Sequence, residues 1–533
     1  MTPSTSSQEP VGSSASSVLE IDINEGILIQ DADQKDDTVE SDDVTVTGHV
    51  EQPNSSEENK RTLRDQLRKT LSQSKPVHSA TRSRRDITLN EQDIIASKVA
   101  GYEPRSYFVL TDAGKPVFFS RTAEDDVDNT TSMIGVMQAL ISVFLDDNDK
   151  LRCINAGRTR INFLLRPPLY YVCISSWGEP ESVTRTHLEY LHLQILSVVT
   201  ASQLRRIFER RTNFDLRRLL NGAESFLLSL LKRLEFDFSM TLTSLHCLRL
   251  RPSLRKRIAD ALVPQSKAKD ILYIMLVAWG QVVTLIRPRK HSIHPADIHI
   301  ILNTIHSPSI YDSPAPSSWI PVCLPKYNSQ IFVNAYISFL RREDEHNSSS
   351  TQQNQDCSRA QLQSVALVCI SSGGDMDLIR GWCNDAAQKL ESEGTLDELI
   401  NSCQTRQSSY VVSDLGIPGL RHFIYKSRRH VQITMPAFED PYEDATSRRR
   451  LVTLYQILHD AIHAKSGQDG TLKLQYIRTD KESLLGWITQ PFEIYLSLSH
   501  RLPKTAAINA ANAVVNWIKK EETQLFLQDA PVF

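Results

Sequence analysis

Residues 164–199, LLRPPLYYVCISSWGEPESVTRTHLEYLHLQILSVV, decide the fold. Residues 169–176 carry a strand signal, with aromatic and β-branched side chains behind the breaker pair Pro167-Pro168. Gly178 and Pro180 punctuate a turn. Beyond it Leu188, Leu191, Ile195 and Val198/Val199 recur at steps of three and four, which predicts an amphipathic helix. Glu179 and Glu181 stand near its start, where the helix dipole favours negative charge. A strand that hands directly to a long helix predicts a helix packed back onto its own sheet.

The residues upstream supply the rest of that sheet. Residues 107–110 and 117–119 flank Asp112-Ala113-Gly114-Lys115, a hairpin with glycine in the turn. Residues 131–145 are helical by period, with Met133, Ile134, Met137, Leu140, Ile141 and Phe144 on one face. Strand signals follow at 151–156 and 159–165, giving the order β-β-α-β-β-β-α. The same order recurs twice. In the second copy the hairpin is 271–278 with 281–287, and the first helix is 295–305. Strands at 320–324, 331–340 and 365–371 follow, then a helix at 376–390, with a polar insertion at 343–356. In the third copy the hairpin is 420–425 with 430–434, and the helix is 451–464. Strands at 471–477, 484–489 and 493–498 and a helix at 506–519 close it. The repeat lies in element order, not in residue identity. Between the first two copies, residues 202–263 read as helical and heavily basic.

The net charge of −3 over 533 residues hides a polarity. Residues 1–60 hold 14 acidic and 2 basic side chains, so the remainder carries +9. A mildly basic body behind an acidic segment favours an anionic partner surface; an ordinary solvated surface is the plain alternative. Residues 1–100 are poor in aromatics and cannot bury enough surface to fold alone. Within them VLEIDINEGILI (18–29) is a candidate docking motif. The basic run 61–85 has serines and threonines that phosphorylation would neutralise. The eight cysteines are scattered with no CxxC pair, which suits a reducing compartment and argues against structural zinc. The uncharged run 271–286 is short for a membrane span and is split by Gly280-Gln281, so it reads as two strands.

Motifs for covalent chemistry are missing. The sequence contains no GxxxxGK[ST], no GxGxxG after a strand and no GxSxG elbow. His459 and His463 have zinc-ligand spacing on a helix, but no third ligand is evident and the face reads as ordinary packing. His291, His294 and His299 have no serine or cysteine nucleophile at a diagnostic spacing. Neither a cofactor nor a metal is expected, and no residue is assigned a catalytic role.

Six ordered blocks carry a resemblance. FVLTDAGKPVFFSR (108–121), IGVMQALISVF (134–144), LLRPPLYYVCIS (164–175), LEYLHLQILSVVT (188–200), FERRTNFDLRRLL (208–220) and SIHPADIHIILN (292–303) together resemble the Mon family. Its members form one subunit of the Mon–Ccz complex, the guanine-nucleotide exchange factor for the late-endosomal and vacuolar Rab GTPase. The resemblance spans residues 102–533 and implies an α/β protein of the α+β type with three longin domains. Each would be a five-stranded, mainly antiparallel sheet flanked by helices. The expected divisions are a disordered regulatory tail at 1–100, then longin domains at 101–234, 235–410 and 411–533.

The resemblance also implies partners. A Ccz-type longin subunit completes a heterodimer, and the first longin domains of the two subunits together hold the Rab. On this chain the Rab contact would fall on Asp126, Asp128, Thr131, Ser132, Ile134, Gly135 and Gln138. Trp279, expected at a hairpin tip, is a candidate anchor for an early-endosomal Rab acting as recruiter. Arg205, Arg206, Arg210, Arg211, Arg255, Lys256 and Arg257 are candidates for anionic phosphoinositide membranes. Such arginines also commonly pair with carboxylates on helix faces. Nucleic acid is not among the expected partners. The implied location is cytoplasmic, peripheral on late endosome, vacuole and autophagosome membranes. Longin domains also build trafficking scaffolds and lipid-binding adaptors without exchange activity, because fold alone does not fix function.

Overall fold

The computed structural model describes residues 104–120, 127–264, 270–289, 292–313, 315–341, 364–466 and 470–528. The acidic and basic tail segments, the polar insertion at 343–356 and Asp126 lie outside the described residues.

The first unit contains β1 (Ser106–Thr111), β2 (Pro116–Phe119), α1 (Val127–Asp146), β3 (Cys153–Ala156), β4 (Thr159–Arg166), β5 (Leu169–Ser175) and α2 (Glu181–Val198). Its sheet runs β2-β1-β5-β4-β3, antiparallel at every pairing. β5 is the central strand and is buried along almost its whole length, because helices lie on both faces. A strand covered on both sides has no reason to alternate, and so LYYVCIS reads as a continuous apolar run.

A connector follows with α3 (Ala201–Arg210), α4 (Glu224–Leu234), β6 (Leu245–His246) and α5 (Pro252–Leu262). The second unit has β7 (Ile271–Ala278), β8 (Gln281–Ile286), α6 (Pro295–Ile305), β9 (Ser317–Leu324), β10 (Ser329–Arg341), β11 (Val365–Ser371), α7 (Met376–Ser392) and α8 (Thr395–Gln404). The third has β12 (Leu420–Ser427), β13 (Gln432–Thr434), α9 (Ala445–His463), β14 (Leu474–Arg478), β15 (Glu482–Ile488), β16 (Phe492–Ser499) and α10 (Lys504–Leu525). The second sheet, β8-β7-β11-β10-β9, repeats the strand order of the first. The third repeats it as well, with one strand added: β14-β15-β16-β12-β13-β6.

That sixth strand corrects the reading of residues 202–263 as wholly helical. Leu245 and His246 pair in parallel with Gln432 and Ile433 of the third sheet. One residue on, Cys247 bridges to Val282 of the second sheet. Phe238 and Leu242, expected to open the second domain, instead enter the core beneath α9. Leu248, Leu250 and Leu254 enter the core between α5 and the second sheet. Leu227, Leu230 and Leu234 on α4 join the core of the first unit. One connector thus contributes apolar side chains to all three units. Sequence period could not show this, because a two-residue strand is too short to carry a pattern.

The first unit also touches the third directly. Trp177 meets two guanidinium groups, Arg105 at 3.7 Å and Arg449 of α9 at 5.0 Å from its ring centroid. Arg105 is itself buried against Glu179, at 2.8 Å. Among the described residues no helix is long and apolar enough to cross a membrane, and every described cysteine is a free thiol.

Candidate functional site

The first unit differs from the others in how its two sheet faces are covered. On the α2 face, helices α2, α3 and α4 close over a fully buried core. On the α1 face, among the described residues, α1 alone covers the sheet. Met137 and Ile141 point down onto Phe108, Leu110, Phe163 and Val172. Around that small core Phe119, Ile134, Leu140, Phe144, Ile161 and Ile174 remain only partly buried.

The outer side of α1 is unusual for a surface. From Asn129 to Leu145 the helix carries no charged side chain. Val136 is 59% exposed and Leu145 36% exposed. An open helix side with no charged side chain and an exposed valine is a candidate interaction surface.

Thr131, Ser132 and Gly135 lie on the exposed side of α1, and Ile134 turns partly onto the sheet. Asp128 falls in the first turn of the helix. Gln138 is half-buried and its amide donates to the carbonyl of Asp112, at 3.1 Å. It closes over Gly114, whose φ is +75° and where a Cβ would stand 3.1 Å from the Gln138 side chain. Gln138 therefore braces the β1–β2 turn. Lys115 in the same turn donates to the Asn213 carbonyl, at 2.6 Å, which ties the turn to the basic connector.

The basic candidates divide into two groups. Arg205, Arg206, Arg210 and Arg211 are exposed on and just beyond α3 and make no ion pair among the described residues. The second group requires correction. Arg255 is only 7% exposed, and its guanidinium donates to the carbonyls of Leu248 and Gln524, at 2.7 and 2.8 Å. It holds the connector against the end of α10 and does not face solvent. Arg257 pairs with Glu398 at 2.8 Å, and Arg251 sits on the other oxygen of that carboxylate. Lys256 is exposed. One carboxylate of α8, Glu398, distant in sequence, pairs with both Arg251 and Arg257, which charge counting along the chain cannot detect.

Trp279 and Gly280 form the two-residue turn between β7 and β8, with φ of +51° and +72°. Positive φ at both positions gives the mirror-image turn that matches strand twist. Tryptophan is a costly residue there, since its Cβ crowds the backbone. Its indole packs partly against the core under α7, and its backbone N–H donates to the Ser364 carbonyl, at 3.3 Å.

Sequence reasoning missed Val136 and Leu145. The signal lies in the uncharged run across α1, whose period alone reads as core-forming.

Three family models match this chain. The first, second and third longin domains of FUZ, MON1 and HPS1 match residues 105–230, 269–376 and 419–522. The vacuolar fusion protein MON1 of Cryptococcus neoformans is 49% identical over 444 residues, covering 83% of this chain and 67% of the relative. The chain belongs to the MON1 family. The chicken MON1 homolog A is 33% identical over 453 residues, covering 85% of this chain and 77% of the relative. The SAND protein of Takifugu rubripes is 31% identical over 438 residues, covering 82% and 79%. The MON1 family's three longin domains correspond to the three sheets described above.

Proposed function

We propose that this chain is one subunit of a heterodimeric guanine-nucleotide exchange factor that activates a late-endosomal or vacuolar Rab GTPase. In this reading it acts in endosome maturation and vacuole fusion. Membership of the MON1 family supports a role at the vacuole, since relatives carry the name vacuolar fusion protein. The observation that carries the reading is the uncharged, incompletely covered α1 face of the first longin domain. A Ccz-type longin subunit covers part of that face, and the Rab docks beside it on Thr131, Ser132 and Gly135.

Exchange of this kind makes and breaks no covalent bond in the factor. The factor binds the nucleotide-free GTPase more tightly than the loaded form, and thermodynamic linkage weakens the bound nucleotide by the same factor. Arg205, Arg206, Arg210 and Arg211 assist contact with anionic phosphoinositide membranes. Trp279 contributes to recruitment by an early-endosomal Rab.

Release of fluorescent nucleotide from a panel of purified Rabs tests the reading. The chain mixed with a Ccz-type subunit is expected to accelerate release from the vacuolar Rab selectively. Acceleration of none of them would favour the other reading that the fold allows, a longin scaffold or lipid-binding adaptor without exchange activity.

A further inference from the structure

The structure supplies a third partner to the histidine pair on α9. His459 and His463 stand one turn apart, with ring centroids 4.4 Å from each other. Glu493 on β16 faces them, its Oε2 3.1 Å from His463 Nε2. One ligand atom from each of the three residues lies within 4.8 Å of the other two. Glu493 and His459 are buried, and the His463 side chain is 16% exposed.

The surroundings suit ligands. Nδ1 of His459 meets the Tyr495 hydroxyl at 2.9 Å, while its buried Nε2 has no hydrogen-bond partner among the described residues. A ring fixed through one nitrogen with the other left over is the arrangement of metal-bound histidines. The Tyr495 hydroxyl in turn donates to Glu493 Oε2, at 3.2 Å.

We propose that His459, His463 and Glu493 form a site for a divalent first-row transition metal of the zinc class, tying α9 to β16. Two imidazoles and a carboxylate suit such an ion and leave its fourth position to water. With two of its three ligands buried, the ion bridges α9 and β16 inside the third domain. Next to His459 on α9, Asp460 accepts the Ser182 hydroxyl of the first domain, at 2.5 Å. A metal here therefore stiffens the part of the third domain on which the first domain rests.

Neighbouring cations oppose the ion. Lys426 Nζ stands 3.3 Å and Arg428 Nε 3.8 Å from Glu493 Oε1. They occupy the oxygen turned away from His463 and leave Oε2 for the ion, but they repel it.

The test uses the full chain, stripped with chelator and titrated with cobalt(II) and then zinc(II). One cobalt per chain should bind with the visible absorption of a four-coordinate ion and be displaced by zinc. Zinc should raise the unfolding midpoint and chelator should reverse it. His463→Gln, at the most accessible ligand, should weaken binding at least tenfold while leaving the midpoint in chelator near wild type. Lys426→Met should tighten binding severalfold. No one-to-one cobalt binding at about 100 µM metal, or a His463→Gln chain that binds like wild type, overturns the proposal.

Discussion

Trp177 of the first longin domain lies against Arg449 of the third, the guanidinium carbon 5.0 Å from the ring centroid. Trp177 is 2% exposed, and Arg449 also pairs with Glu235 of the connector at 3.4 Å. The two domains are thus joined through a buried aromatic and a part-buried cation. Trp177→Ala should cost about 3–5 kcal/mol, as expected for truncating a large buried ring. Arg449→Ala should cost about 1 kcal/mol, since it loses a cation–π contact and a half-exposed ion pair. Chemical denaturation of the two variants checks this ranking, and equal costs would show that the clamp contributes nothing specific.

Acid should destabilise the fold through its buried histidines. His422 is pushed down to about 3 and His299 to about 4, in both cases chiefly by burial. His422 bonds to the Tyr455 hydroxyl at 3.2 Å, and His299 bonds to the Ser244 carbonyl of the connector at 2.8 Å. The native state keeps both rings neutral, whereas the unfolded chain protonates them below its ordinary value near 6.5. Stability from these groups is therefore fully present above pH 6.5 and is lost as pH falls toward 4. By pH 5.5 the loss is about 1.4 kcal/mol per ring. Unfolding midpoints measured from pH 7.5 to 5.5 should fall, and replacing His422 with Gln should flatten the fall. A flat profile in the wild type would contradict this assignment.

The arginines near α3 and Arg255 should separate in two assays. Arg255→Ala removes the donor to two carbonyls and should destabilise the chain by about 1–3 kcal/mol. Replacing Arg205, Arg206, Arg210 and Arg211 with Gln should leave stability within about 0.5 kcal/mol. The same change should weaken binding to anionic liposomes by about 1 kcal/mol for each charge that reaches the surface, and less as salt rises. Liposome flotation at two salt concentrations measures it, and unchanged flotation at low salt would remove α3 from the membrane face.

The parts of the fold legible in the sequence were those with a period. The strand 169–175 and its helix, the hairpin at 271–286 and the three-fold recurrence of element order all follow from apolar spacing and breaker residues. Residues Leu245 and His246 were not legible, because their strand takes its partners from chain nearly two hundred positions away. The same limit hid the pairing of Arg257 with Glu398 and the approach of Glu493 to His463. A charge run along one helix says nothing about carboxylates arriving from another. Of the expected α1 contacts, Thr131, Ser132 and Gly135 lie on the exposed side, whereas Gln138 braces a turn. Exposure within a helix depends on what packs beside it, which a single segment does not record.

The central claim is that the open α1 face of the first longin domain is where partner and GTPase dock. The direct measurement is fluorescent-nucleotide release from the vacuolar Rab, using the chain with a Ccz-type subunit, the chain alone, and Val136→Asp with the subunit. Val136 is 59% exposed, so the substitution should leave the unfolding midpoint unchanged. Rapid release is expected from the wild-type pair, and release near the intrinsic rate from the other two samples. Full exchange by the isolated chain, or by the Val136→Asp pair, would contradict the account.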